Sequence, residues 1–276
     1  MKTARKVLAS AGRFFLNLPI FLIILVPLLY TLSISVMPPG EIYQNRLIPS
    51  SVNLSNYVNA FTNPNYHFPR FILNSFIVST SVMLGQMVTC SLAAFAFSFL
   101  EFRGKRALFI LILATMMVPG EATIIANYLT IAHWGYLDTY QALIMPYLTS
   151  AMGIFLLRQH YLAFAKELHE AARLDGCNNW RFLLSIVAPL SRPALGALGA
   201  YVFLNTWNQY MWPLLVTNTY KYRTVQIGIS MLFDIDAQSL GLMMAGVVIV
   251  IVPSLSIFVF MQRQLINGLM AGAIKG

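Results

Sequence analysis

Four histidines, two cysteines and nine carboxylates are the side chains that could ligate a metal, act as a nucleophile or move a proton. Their spacing supports none of these roles. His67, His133, His160 and His169 fall in different segments and form no metal-ligand pattern. Cys90 lies in an apolar run and Cys177 in a polar one, so each reads as a reduced thiol. No serine sits in a G-x-S-x-G turn. Gly104-Lys105 lacks the upstream glycine that a phosphate-binding loop requires. If the protein uses chemical energy, the sequence puts that chemistry on another chain.

Binding chemistry is better represented. One apolar run holds Asn205, Trp207, Asn208, Gln209, Tyr210 and Trp212. Asn205, Asn208, Gln209 and Trp212 stand at i, i+3, i+4 and i+7, which predicts one helical face. Polar groups at membrane depth must find partners or face an aqueous cavity. Amides can hydrogen-bond sugar hydroxyls and aromatic rings can cover C–H surfaces, so this face is a possible substrate pathway. The same amides serve equally as glue between helices, worth about 0.6 kcal/mol each, and Trp and Tyr also mark membrane interfaces. Glu121 is a second pathway candidate. A carboxylate at the centre of a lipid-facing helix costs at least about 2.5–3.5 kcal/mol. Glu121 is therefore expected in the outer part of a bundle, facing a cavity or a partner loop. Asn74, Ser81, Gly85 and Thr89, at i, i+7, i+11 and i+15, predict close helix packing instead.

The elements that position these groups follow from composition. Of 276 residues, 58% are hydrophobic and 10% are charged, with a mean hydropathy of +0.69. A soluble domain carries about 25% charged residues. Disorder is excluded by the hydrophobicity and a disulfide scaffold by the cysteine count. A polytopic, all-α membrane protein remains. Charge-free gaps at 14–40, 71–100, 139–157, 193–220 and 237–262 each approach or exceed the length that crosses hydrocarbon. A further span at about 107–130 is loosened at its outer end by Pro119-Gly120. Six spans result, at about 14–36, 71–100, 107–130, 139–160, 193–217 and 238–262.

With the N-terminus inside, fourteen of the eighteen Lys and Arg fall on the inner side and four outside. That asymmetry predicts both termini in the cytoplasm. The net charge of +9 then reflects topology and anionic headgroups, not nucleic acid. The first apolar run is longer than a signal-peptide core and no A-x-A-like site follows it, so it reads as an uncleaved span.

The outer connection at about 37–70 is rich in Pro, Gly, Asn and Ser and must lie in water or against a partner. The longest polar inner stretch runs from Arg158 to Arg192. Within it, Lys166 to Asp175 reads as a short helix, with Leu168, Ala171, Ala172 and Asp175 on one face. Gly176 is the natural stop. Asn178 or Asn179 can cap a second helix that ends before Pro189. The first helix is too polar for lipid and too short to stand alone, so it should dock onto a partner.

Glu170-Ala171-Ala172, three residues, Gly176, nine residues, then Ile186-Val187-Ala188-Pro189 resembles the EAA loop of permease subunits in binding-protein-dependent ABC importers. Ala188 stands where leucine is usual, a mild change in an apolar slot. Leu73-Asn74-Ser75-Phe76, Leu156-Leu157-Arg158-Gln159, Trp207 to Leu214 and Gln262 to Leu269 extend the likeness to MalG-like and UgpE-like permeases over nearly the whole chain. The resemblance implies a type I (MetI-like) importer fold, with a cytoplasmic segment at 1–13 and one permease domain at 14–276. It implies that Glu170, Ala171, Ala172, Asp175 and Gly176 belong to a coupling helix and its turn, in a loop at about 161–191. That helix would sit in a cleft of a cytoplasmic ATPase. The implied partners are a second homologous permease, two ABC ATPase subunits, an extracellular or periplasmic binding protein, and membrane lipid. No cofactor belongs to this chain, since ATP and Mg sit on the ATPases. Weaker implications are an outer loop at about 218–240, with Lys221, Arg223, Asp234 and Asp236, reaching the binding protein, and a tail, Ala273 to Gly276, near the ATPases. The solute implied is a sugar, a sugar oligomer or a glycerophosphate-type compound, imported across a bacterial inner membrane. An amino-acid or peptide permease is the alternative within the class. A self-contained secondary transporter is the alternative outside it, and would need in-span ionisable groups that only Glu121 approaches.

Overall fold

The computed structural model describes residues 2–38, 40–44, 46–164, 166–235 and 240–270. Asp236 and the tail Ala273 to Gly276 lie outside the described residues. Every regular element among the described residues is helical. Three helices among the described residues are long and apolar enough to cross a membrane: α1 (Lys2–Ser35, through its Asn17–Ser35 part), α3 (Phe68–Phe99) and α14 (Leu240–Met270, through Leu240–Phe260). Between α1 and α3 lies the short helix α2 (Ser55–Thr62).

The remaining spans are bent pairs, so the chain has up to six. Helix α4 (Lys105–Thr115) meets α5 (Gly120–His133) at 98°. The sequence reading of one span loosened at its end understates this break. Pro119 takes an extended conformation immediately before α5, and proline disfavours helix in the residue that precedes it. Helix α6 (Tyr140–Ile144), prolonged by a tight turn to Tyr147, meets α7 (Ala151–Tyr161) at 43°. Thr139 and Ser150 cap these two helices, accepting from the Ala142 and Gly153 amides.

Next come α8 (Lys166–Leu174) and α9 (Asn179–Phe182). A π-turn over Leu183–Val187 then leads to α10 (Ala188–Leu190). The helical run therefore passes through Pro189 rather than ending before it. A proline inside a helix leaves a carbonyl unpaired. The wider turn, closed by Ala188 N–H donating to the Leu183 carbonyl, accommodates that defect. This run meets α11 (Arg192–Trp207) at 79°. After α11 the helix breaks, resumes as α12 (Met211–Val216), and is followed by α13 (Val225–Ile235).

The chain divides into two compact units. The first comprises residues 1–68 and 228–252. Its buried residues include Ile34, Met37, Ala60, Phe68, Leu232 and Ala245. Here α14 runs close enough that a β-carbon on Gly246 would lie 2.7 Å from Leu232, and one on Gly241 2.6 Å from the Asn56 amide. The second unit comprises 69–227 and 253–276. Its core gathers α3, α7 and α11 with the helices of the polar loop, through Val82, Ala94, Phe95, Leu157, Tyr161, Phe182, Leu183 and Leu198. Close packing along α3 is as its small residues predict. A β-carbon on Gly85 would strike Leu148, 2.4 Å away, and Thr89 and Gln86 donate to the carbonyls of Leu148 and Tyr147.

Candidate functional site

The polar loop folds as helix, glycine turn, helix. At the end of α8, Gly176 takes φ +75°, and its N–H donates to Arg173 while the Cys177 N–H reaches back to Ala172. This paired closure is a Schellman turn, and it requires a left-handed residue at the glycine. Asn178, rather than Asn179, caps α9, its side-chain oxygen accepting from the Arg181 N–H at 2.8 Å.

Helix α8 is seated on its own subunit by Leu168, His169 and Ala172. The His169 ring lies 4.7 Å from Phe182 and 5.3 Å from Phe99. The predicted face of Leu168, Ala171, Ala172 and Asp175 is therefore split. Leu168 and Ala172 turn inward with His169, whereas Ala171 and Asp175 turn outward beside Glu167, Glu170 and Arg173. The His169 ring, tilted 40° and 55° against Phe182 and Phe99, adds a third inward residue to this side. Exposed apolar side chains flank the charged face: Leu174 is 89% exposed and Trp180 63%. A polar helix ringed by exposed Leu and Trp is an unfinished surface.

Arg158, at the end of α7 where the chain enters this loop, holds two other elements. Its Nε donates to the Phe97 carbonyl at 3.3 Å, and its guanidinium lies 4.0 Å from the Phe109 ring centroid. The ends of α3, α4 and α7 are thus tied at one side chain.

The pathway candidates are not on one helical face. Asn208 and Gln209 occupy the break between α11 and α12, so the i, i+3, i+4, i+7 relation with Asn205 and Trp212 does not survive. Asn205 is exposed and donates to the Tyr201 carbonyl of its own helix at 2.9 Å. Asn208 is exposed and accepts from Gln226 at 3.3 Å. Gln209 hydrogen-bonds the Tyr147 hydroxyl. Trp212 is buried, with its indole N–H given to the Ala142 carbonyl at 3.0 Å, so its ring packs inside the unit. Glu121 is exposed in the first turn of α5, where the helix dipole favours a carboxylate. The structure does not bring it to the amides of the α11–α12 break among the contacts it forms.

Two side chains not singled out from the sequence as site residues organise the segment after α12. Asp138, itself at φ +57°, accepts from the N–H groups of Asn218 and Thr219 at 2.9 and 3.0 Å and from the Thr219 hydroxyl at 2.8 Å. Burial raises the Asp138 carboxyl, but these hydrogen bonds outweigh it and hold the group below its ordinary value. Fully buried Asn74 donates to the carbonyls of Lys221 and Arg223 at 3.0 and 2.8 Å and accepts from the Tyr140 hydroxyl at 2.7 Å. Ser75 accepts from the Val225 N–H at 2.8 Å. The 217–225 segment is therefore fastened at both ends. For Asn74 a signal existed in the Leu73-Asn74-Ser75-Phe76 match. For Asp138 the only hint was an Asp-Thr pair, a turn signal of no specificity.

An all-helical chain of up to six spans, with a polar helix–glycine–helix seated on its second unit, defines the class as a polytopic membrane protein. Residues 87–265 match the family of binding-protein-dependent transport system inner membrane components, and the chain belongs to that family. It is 35% identical over 257 residues to the sn-glycerol-3-phosphate transport system permease protein UgpE of Agrobacterium fabrum, covering 90% of this chain and 91% of that one. The arabinooligosaccharides permease protein AraQ of Halalkalibacterium halodurans is 31% identical, with 91% of each chain covered. The trehalose/maltose permease protein MalG of Thermococcus litoralis is 32% identical, covering 92% and 93%. A chain of a bacterial ABC transporter involved in import of the acidic polysaccharide alginate shares the fold with a TM-score of 0.83 at 22% identity, over 94% of this chain and 97% of that one. The protein is thus a multi-pass inner-membrane permease subunit of an ABC importer. It is the non-catalytic component, and ATP binding lies on partner ATPases. A self-contained transporter is set aside by this membership.

Proposed function

We propose that this permease imports a carbohydrate or glycerol-3-phosphate-type solute, and that the loop around Glu170 and Gly176 carries the ATPase stroke into the spans. The observation that carries the second part is the α8–α9 unit. Its inner side is fixed to the core by His169 and Ala172, while Glu170, Asp175 and Leu174 stand outward. A lever must be rigid on one side and make contacts that differ between two states on the other. Two ATPase subunits closing on ATP would push on this face. A second, homologous permease would complete the translocation path. The solute class rests on relatives whose names include sn-glycerol-3-phosphate, arabinooligosaccharides and trehalose/maltose. The exposed amides Asn205 and Asn208, with Gln209, suit hydroxyl groups, and the spans of this chain offer no cluster of basic side chains for a phosphate.

The test is affinity purification of the chain from native membranes in mild detergent, with mass spectrometry of what accompanies it. A phosphate-loop ATPase, a second permease and a binding protein are the expected companions. The binding protein is then screened by thermal shift against oligosaccharides and glycerol-3-phosphate. Glu170→Lys should abolish uptake and reduce recovery of the ATPase. Normal uptake in that variant would defeat the coupling role, and a binding protein stabilised only by amino acids or peptides would defeat the solute class.

A further inference from the structure

We propose that residues 47–61 form a membrane-anchored segment, with Leu47, Ile48, Val52, Leu54, Val58 and Phe61 seated in the headgroup and upper acyl region of the leaflet bordering the α1–α3 connection. The inference is independent of the solute and of the ATPase contact.

The first argument is depth. The segment folds back against the last turn of the α1 span. The Ser33 hydroxyl donates to the Leu47 carbonyl at 2.6 Å, and the Asn53 N–H donates to the Val36 carbonyl at 2.8 Å. The Asn56 amide donates to the Ser35 carbonyl at 3.1 Å, and the Ser35 and Tyr57 hydroxyls share a 2.7 Å hydrogen bond. The spanning part of α1 ends at Ser35. Residues 47, 53, 56 and 57 are therefore held at the level where α1 leaves the hydrocarbon. Irregular backbone cannot face the hydrocarbon with open polar groups; these bonds satisfy the Leu47 carbonyl and the Asn53 N–H, and the rest of 48–52 is met by water at the headgroups.

The second argument is polarity. Helix α2 buries Asn56 at 5% exposure and Ala60 at 0%, and exposes Val58 at 55% and Phe61 at 48%. In water the opposite arrangement is expected. The inner face is fully accounted for, because Asn56 is hydrogen-bonded and α14 passes it at Gly241. The outward apolar stripe is thus not an unfilled core. It extends to Leu47 and Ile48, 71% and 80% exposed.

The third argument is charge and continuity. No Asp, Glu, Lys or Arg occurs between Arg46 and Arg70. Protein-binding surfaces keep a polar, often charged rim, whereas an uncharged stretch bearing aromatics fits the membrane interface. One charge reaches the stretch from outside it: Glu41 accepts from the Ser50 N–H and hydroxyl, between Ile48 and Val52, and lies 3.8 Å from Arg46, which sets residues 48–52 at headgroup depth. The span that the segment folds back on is likewise exposed and apolar, at Leu28, Leu29 and Leu32.

The test uses the assembled transporter in lipid nanodiscs, in a background where Cys90 and Cys177 are replaced by alanine and uptake is retained. Nitroxide labels are placed singly at Val58→Cys, Phe61→Cys and Asn59→Cys, the last on the polar flank of the stripe. Ile48→Cys gives an independent reading should a helix variant fail to assemble. Collision with oxygen, which concentrates in acyl chains, is compared with collision with a water-soluble nickel chelate. The expected result is an oxygen-to-nickel ratio several-fold higher at 48, 58 and 61 than at 59, unchanged by adding the binding protein. Three results would overturn the proposal. Shielding from both quenchers would mean that the partner permease covers the stripe. Equal nickel access at all sites would place it in water. A binding-protein-dependent loss of access would make it a docking surface for that protein.

Discussion

A β-carbon at position 176 would meet no atom within 4 Å, so the requirement for glycine there is purely one of backbone. At φ +75° an L side chain costs about 1–2 kcal/mol, less for Asn, which tolerates the left-handed region. The Schellman turn fixes the angle between α8 and α9, so on the proposed coupling role the cost appears as a misaimed outer face of α8. Gly176→Val should lower uptake and ATPase recovery sharply, with Gly176→Asn intermediate, as read by transport in vesicles and co-purification. Equal behaviour of the two variants would show that turn geometry is not limiting. Asp138 makes a second residue-level prediction. Its folded carboxyl is depressed, burial opposing and the bonds from Thr219 and Asn218 prevailing. A depressed carboxyl stabilises the fold above its unfolded value of about 3.9, and that contribution is lost as pH falls through the folded value. Asp138→Asn should therefore lower the melting temperature by a constant margin from pH 7 down to about pH 5. The margin should close only below about pH 4. Scanning calorimetry or a fluorescence melt across pH checks this, and a margin independent of pH would show that the charge contributes nothing.

At the scale of elements, the segment after α12 depends on a side chain from α3 some 147 residues earlier. Asn74→Leu keeps the volume nearly constant but strands the Arg223 carbonyl and the Tyr140 hydroxyl, and leaves the Lys221 carbonyl with only the Arg70 Nε donor at 3.4 Å. Each unsatisfied buried group costs about 1–3 kcal/mol. The segment should release before the bundle unfolds. Limited proteolysis should then cut near Lys221 faster than in the unaltered protein, while the helical circular dichroism stays the same. Unchanged cleavage would mean that Asp138, Ser75 and Arg70 suffice. Such long-range ties are what the sequence hides. Gly176 and the Asn178 cap were legible because their partners lie within five residues. The bend before α5 was announced by Pro119-Gly120, though not its angle. The break at Asn208–Tyr210 was not announced, since no glycine or proline stands within it. Without that break in view, the periodicity of Asn205, Asn208, Gln209 and Trp212 suggested a face that the backbone does not make. The two-sidedness of α8 was half legible for a similar reason. Period alone gave Leu168 and Ala172, and only the positions of Phe99 and Phe182 explain why His169 joins them.

At the scale of the molecule, the exclusion of charge from hydrocarbon is what made the spans readable. It acts whatever the local geometry, so the bent pair that ends at Tyr161 leaves a gap from 139 to 157 much as a straight helix does, whereas Glu121 in α5 and Arg192 at the head of α11 interrupt the other two bent pairs. Orientation rests on a different bias. The segments 1–13, 101–106, 158–192 and 263–276 hold fourteen of the eighteen Lys and Arg, against four in the alternating segments. The acids divide nearly evenly, four to five, so they neither create nor cancel the asymmetry. Retention of Lys and Arg in the cytoplasm during insertion counts basic residues in short loops near span ends, and each of these segments meets that condition. The proposed coupling role asks for the same orientation, because on that proposal the α8–α9 unit faces the compartment that holds ATP. A fluorescent protein that folds only in the cytoplasm should be bright when fused after Gly276 or within 101–106, and dark when fused within 47–61. A phosphatase that is active only outside the cytoplasm should give the reverse pattern. Phosphatase activity at the C-terminus would invert the topology and remove the ATPase contact from α8, since a helix on the wrong face of the membrane can receive no stroke.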